Sequence, residues 1–288
     1  MFTPITASPL RQAGVYTTIA FTAETAIGLI FRGSASPAAP MLSILVPVLS
    51  VVAVTFGFTP RGRRREIWSG VGLRRAAFRF WPIAIAVPVA VVAVPYALAW
   101  AVGLVTFHDL APSLPDLAFS GVLFTGIILG EEIGWRGFLL PRLREVTSGR
   151  RAALITGFLH GLFHVPLLTL TASYDSAGNR WVVVPVVVVT ITAAGVFYAW
   201  LRERSDSIWP VAITHNMVNS VLDLATSTAA TTSPVAVSYV AGESGLATFA
   251  AVALVAAVVL RRTEACPALT RPDIPFPTQS PYLDYPAL

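Results

Sequence analysis

Apolar runs long enough to cross a bilayer constrain this chain more than any other feature. A hydrocarbon core of ~30 Å takes about 17 to 25 apolar residues as a helix. About eight such runs follow one another, over residues 14–31, 39–58, 81–104, 118–140, 152–171, 181–201, 207–226 and 245–260. Composition agrees, since 55% of the 288 residues are hydrophobic and only 12% are charged, where a soluble domain carries about 25% charged residues. The expected fold is all-α: a polytopic membrane protein of about eight transmembrane helices with polar residues held at mid-membrane.

The 20 basic residues are all arginines. Threading the spans with the N-terminus inside puts every one on a single side, except Arg32 and Arg180 on the other side and Arg136 within a span. Cytoplasmic loops collect basic residues, so both termini are expected in the cytoplasm, with residues 1–12 leading into a membrane domain over 13–262. The net charge of +5 does not imply a nucleic-acid partner, because the arginines sit at helix ends, where they set topology and meet anionic lipid headgroups. The single cysteine, Cys266, excludes an intrachain disulfide. "GSASP" after the first run resembles a cleavage site, but Glu24 interrupts that run and only Arg11 precedes it, so a retained first helix is expected. Residues 59–80 alternate aromatics with arginines and read as an interfacial segment. Residues 263–288 carry too many prolines for a helix and read as a disordered cytoplasmic tail. Arginine-only usage without a eukaryotic sorting signal points to the plasma membrane of a bacterium.

An ionisable side chain at mid-membrane costs about 2.5 to 3.5 kcal/mol on insertion scales, which makes it a functional candidate. The stretch "GEEIGWRGFLLPRL", residues 130–143, holds three. Glu132 and Arg136 stand four apart on one helix face, where they neutralise each other. Glu131 is rotated from Glu132 by about 100° and is left for chemistry. "FLHGLFHVP" places His160 and His164 one turn apart, and Pro166 loosens that helix by removing the backbone bond to Leu162. "SIWPVAITHNMVNS" carries His215 and Asn219 at the same spacing. At about 1.5 Å per residue from the nearest cytoplasmic arginine, Glu131 and His215 lie about 16 Å deep, His164 about 20 Å and Asn219 about 22 Å. A carboxylate, two imidazoles and a carboxamide at one level are the inventory that activates water and stabilises an oxyanion. The plainer alternative for each is hydrogen bonding between helices. Glu24 reads as a satisfied polar residue, Asp223 as a solvated cap and His108, beside Asp109, as a solvated loop residue. Trp81, Trp181 and Trp209 read as interface anchors. Access to the site is expected from the arginine-rich side.

These motifs resemble the CAAX protease and bacteriocin-processing family of intramembrane proteases (CPBP, or Abi), which includes the type II CAAX prenyl endopeptidases. The family's E-E-x-x-x-R is matched by Glu131, Glu132 and Arg136. Its aromatic-x-x-x-His is matched at His164 only, with His160 in the aromatic's place. Its His-x-x-x-Asn is matched by His215 and Asn219, with "IWP" ahead of it and "VGLRR" upstream. The resemblance covers about residues 118–222. It implies an eight-helix membrane metalloendopeptidase-like hydrolase in which Glu131 and His164 activate a water, His215 and Asn219 bind that water or the oxyanion, and Glu132 with Arg136 positions the site. A metal, where one takes part, is expected to be a single Zn²⁺ on Glu131, His164 and His215 with a fourth position left for water. His160 adds an imidazole able to ligate that metal or merely to fill the aromatic's place. The implied partners are membrane lipid and a membrane-associated peptide or protein substrate, of CAAX or bacteriocin type. A non-enzymatic reading stays open: a proton-coupled transporter using Glu131 and the histidines, or a scaffold on the same fold.

Overall fold

The computed structural model describes residues 8–108, 114–172 and 177–264; the proline-rich tail from 265 onward and Asp109 lie outside them. A backbone polar group in hydrocarbon has no water to bind, so every crossing segment closes its hydrogen bonds internally as a helix. In chain order the helices are α1 (Pro9–Ile30), α2 (Ala38–Ala53, prolonged by a π turn over Val54–Phe58), the short α3 (Arg64–Gly70), α4 (Trp81–Ala101) and α5 (Leu114–Glu132). A second π turn, Ile133–Leu139, joins α5 to α6 (Leu140–Arg144). Then come α7 (Gly149–Phe163), α8 (Val165–Leu170), α9 (Arg180–Ser205), α10 (Trp209–Thr228), the short α11 (Pro234–Val240) and α12 (Leu246–Glu264). Six helices are long and apolar enough to cross a membrane: Pro9–Ile30, Ala38–Phe58, Phe78–Ala101, Leu117–Arg144, Gly149–Leu170 and Arg180–Ser205. Helices α10 and α12, with 20 and 19 residues, take the places of the last two expected spans. Strand structure among the described residues is one antiparallel pairing of Thr106–Phe107 with Ala229–Ala230. The protein is thus an all-α polytopic membrane protein.

Small residues set how closely the central helices meet. Gly157 and Gly161, one turn apart on α7, face α9 so tightly that an added Cβ would stand 2.7 Å from the Thr192 carbonyl oxygen and 2.8 Å from that of Val188, respectively. This small-xxx-small contact is a common solution in membranes, where apolar burial gives helices little reason to associate and close backbone packing supplies it. It also presses the imidazole-bearing stretch of α7 against α9. On the other side of α7, Tyr16 of α1 meets the Trp135 ring edge-on at 5.7 Å, and Trp135 in turn meets Phe163 at 5.4 Å. All three rings are fully buried.

Two local features differ from the sequence reading. The run 118–140, expected as one uniform span, changes to π geometry directly after Glu132, and Arg136 lies within that wide turn. Residues 59–80, expected at the interface, are tied into the body. The Arg202 guanidinium donates to the Gly70 carbonyl (2.7 Å) and the Trp209 indole N–H to that of Leu73 (2.9 Å), while Ile67 and Val71 are buried. Trp209 therefore anchors this segment rather than a lipid headgroup. Pro166 falls in the first turn of α8, where its missing N–H costs nothing, and His164 occupies the junction between α7 and α8.

Candidate active site

Three helical stretches bring the sequence-selected residues together. Glu131 and Glu132 end α5, Arg136 sits in the π turn, His160 ends α7, His164 follows it, and His215 and Asn219 lie on α10. The Nη1 of Arg136 is 3.0 and 3.1 Å from the two Glu132 oxygens. The same Nη1 lies 2.9 Å from His160 Nδ1. A guanidinium only donates, so His160 Nδ1 is an acceptor and the ring proton is on Nε2. That Nε2–H donates to Glu131 Oε1 at 2.8 Å. On the far side, His215 Nδ1 donates to Glu132 Oε1 at 2.8 Å, and in the neutral form of the ring Nε2 carries the lone pair. The network runs from Glu131 through His160, Arg136 and Glu132 to His215. With neutral imidazoles it carries one net negative charge.

Burial grades this network. Glu132 and Arg136 are 0% exposed, Glu131 2% and His160 1%, while the His164 and His215 side chains retain 24% and 12%. The buried end is structural and the more open end faces a cavity of about 230 Å³ whose lining includes Glu131, His160, His164, Tyr198, His215 and Asn219. His164 Nε2 is 3.7 Å from Glu131 Oε1, beyond direct hydrogen bonding and within the reach of a bridging water. Asn219 is exposed to the same space. Arg136 Nε and Nη2 have no hydrogen-bond partner among the described residues; the Tyr198 ring, 4.8 Å from Cζ, covers the guanidinium instead. Trp135 stacks on His160 at 5.0 Å and fixes its ring plane.

The geometry changes several expectations. Glu132 is more than the partner of Arg136, because it also orients His215. His160, expected as an extra ligand or a filler, is also the direct hydrogen-bond partner of Glu131. Glu24 is fully buried beside the Ser43 hydroxyl, its nearest polar partner, with neither oxygen in close hydrogen-bond geometry. Access from the arginine-rich side is not what the structure shows: Trp135, Phe138 and Leu139 pack with 0% exposure on that side of Glu131, and the cavity continues the other way. Tyr198 and Asn216 were not singled out in the sequence. Asn216 donates to the Gly121 carbonyl (3.0 Å) and Thr125 Oγ1 (3.1 Å), joining α10 to α5. The available signal was a lone phenol in "GVFYAW" and a second amide beside His215.

Metal binding can be tested on the donor set. Glu131, His160 and His164 offer ligand atoms within 4.8 Å of one another, and one carboxylate with two imidazoles is a zinc-type set. This group differs from the expected Glu131, His164 and His215, since His160 replaces His215. It meets the spacing requirement but not the proton inventory. A ligating histidine normally donates its other N–H to a carbonyl or carboxylate, whereas the outer nitrogen of His160 faces a guanidinium and its inner nitrogen holds the proton. In this tautomer His160 is a poor ligand, whereas His215, whose Nδ1–H meets the Glu132 carboxylate, has the partner a ligating histidine needs and keeps Nε2 free.

A family model for type II CAAX prenyl endopeptidase Rce1-like proteins matches residues 113–221. That segment runs from the start of α5 into α10 and contains every residue of the network. The comparison with curated proteins returns no match.

Proposed function

From the type II CAAX prenyl endopeptidase-like character of residues 113–221, we propose that this protein is an intramembrane endopeptidase hydrolysing a peptide bond of a membrane-associated peptide or protein. The observation carrying this reading is Glu131, fixed by His160 and separated from His164 by a water's width at the floor of one cavity. A water between Glu131 and His164 gives its proton to Glu131 as it attacks the scissile carbonyl. The Asn219 amide donates to the oxyanion that forms. His215 Nε2, oriented through Nδ1 by Glu132, accepts a hydrogen bond from the substrate and so aligns the peptide. His160 and Arg136 are positioning residues, and they act on substrate only through Glu131 and Glu132. Proton return from Glu131 to the leaving amine closes the cycle.

CAAX-type and bacteriocin-type precursors both fit an enzyme that works at a membrane. The arginine distribution supports a bacterial plasma membrane with cytoplasmic termini. The test is cleavage of a library of membrane-anchored peptides in proteoliposomes, with new termini identified by mass spectrometry. Wild-type protein should generate them, and Glu131→Gln should lower the rate by roughly 10² to 10⁴-fold with unchanged folding. Equal rates for the two proteins would remove Glu131 from the chemistry.

A further inference from the structure

The catalytic cavity leads to a second space. Its upper lining, Asn219, Leu222 and Glu243, is shared with a chamber of about 880 Å³ bounded by α4, α10 and the segment after it. The two spaces therefore adjoin, with the chamber on the side of the arginine-poor end of the bundle. They differ in character. Above its polar floor the inner cavity is walled by residues such as Val91, Ile128, Leu167 and Val252. The outer chamber is mixed, with Tyr96, Thr226, Ser227 and Ser238 beside Leu222 and Val237 on its walls. Among the described residues its charged lining is Asp223 and Glu243, and no arginine lines either space. Neither carboxylate makes a hydrogen bond or ion pair among the described residues. Glu243 is exposed to the chamber, where desolvation by the walls, followed by the nearby Asp223 carboxylate, pushes its carboxyl up from the usual range.

We propose that the substrate enters from the arginine-poor end, placing an apolar segment in the inner cavity while a cationic group, a Lys or Arg side chain or a free amino terminus, docks between Asp223 and Glu243. Two carboxylates facing one confined space repel each other, and a cation relieves that repulsion. The spacing fixes where the cation sits. Asp223 is two turns beyond His215, about 12 Å along the helix, and an extended peptide advances about 3.3 to 3.6 Å per residue. The cationic group therefore lies about three to four residues from the scissile bond. The scissile bond's place rests on the peptidase reading; the charge preference does not.

The test uses the inactive Glu131→Gln protein in nanodiscs and two fluorescent peptides with the same run of eight alanines and leucines, one ending in Lys-Lys and one in Gln-Gln. The Lys peptide should bind at least tenfold more tightly, and Asp223→Asn with Glu243→Gln should bring the two to equal affinity. Equal binding by the parent, or a preference that survives the double change, overturns the proposal. Should the double variant not fold, Ser238→Arg, which adds a guanidinium to the chamber, must weaken Lys-peptide binding at least tenfold. In a Cys266→Ser background, Ser238→Cys blocked by a bulky maleimide must also abolish binding; unimpaired binding would place the route elsewhere. Binding is read without turnover, so failure here leaves Glu131-dependent cleavage standing, and absence of cleavage leaves the charge preference standing.

Discussion

Glu132→Gln separates the two tasks that the structure gives this residue. The carboxamide can still accept the His215 Nδ1–H, but it leaves Arg136 as an unpaired cation in a fully buried site. Removing one partner of a buried ion pair costs on the order of 3 to 5 kcal/mol. At about 2 to 4 °C per kcal/mol for a chain near this size, the midpoint should fall by roughly 6 to 20 °C. Adding Arg136→Gln should restore part of that loss by removing the stranded charge. It should not restore cleavage, because Arg136 Nη1 also sets the tautomer of His160. The assay is thermal unfolding in one detergent beside peptide cleavage at a permissive temperature, for the parent, both single variants and the double. A Glu132→Gln protein within about 1 kcal/mol of the parent, or a double variant no more stable than Glu132→Gln alone, would refute the buried-pair account.

Three further outcomes follow from the same geometry. His160 should not serve as a metal ligand, since its proton occupies the nitrogen a metal would need; stoichiometric zinc binding by the purified protein that is lost in His160→Phe would show that the tautomer is wrong. Gly161→Ala drives a methyl toward the Val188 carbonyl and should destabilise by about 1 to 3 kcal/mol, typical of overpacking, with a larger loss of activity than a matched change at the exposed Leu154. In a Cys266→Ser background, Leu139→Cys should stay unreactive to a polar thiol reagent while Ser227→Cys reacts from the arginine-poor side; the reverse pattern would invert the path to the site.

The helical spans were legible because a bilayer imposes one length and one backbone solution, and "WPIAIAVPVAVVAVPYALAW" admits little else. The ion pair was legible because four residues is one helical turn, whatever the surroundings. Glu131, His164, His215 and Asn219 were recovered as a group because depth along a span can be counted from flanking arginines. Rotation about each helix axis cannot be counted in this way, and the misses over which site residues touch are of that kind. Whether His160 or His164 meets Glu131 depends on how Gly157 and Gly161 seat α7 on α9. Tyr198 covers Arg136 only because that seating turns it inward. The direction of access was misjudged for a related reason: arginines mark an end of the bundle, but bulky buried residues such as Trp135 and Phe138 decide which end is plugged.

The Glu132–Arg136 contact lies within a single continuous helical stretch, and that bears on how the chain is made. Ribosomal synthesis delivers the spans one after another, so the stretch from Leu117 to Arg144 reaches the translocon before His160, Tyr198 or His215 has been polymerised. Each bare charge would then face lipid at about 2.5 to 3.5 kcal/mol, with no later helix present to shield it. Because donor and acceptor are four residues apart, this span carries its own counterion and can leave the insertion machinery with those two charges already balanced. Glu131 has no such partner until α7 arrives. Glu131 therefore gains its direct partner only when His160 docks, so the site's ion pair is set within one span while its remaining carboxylate waits for a later one.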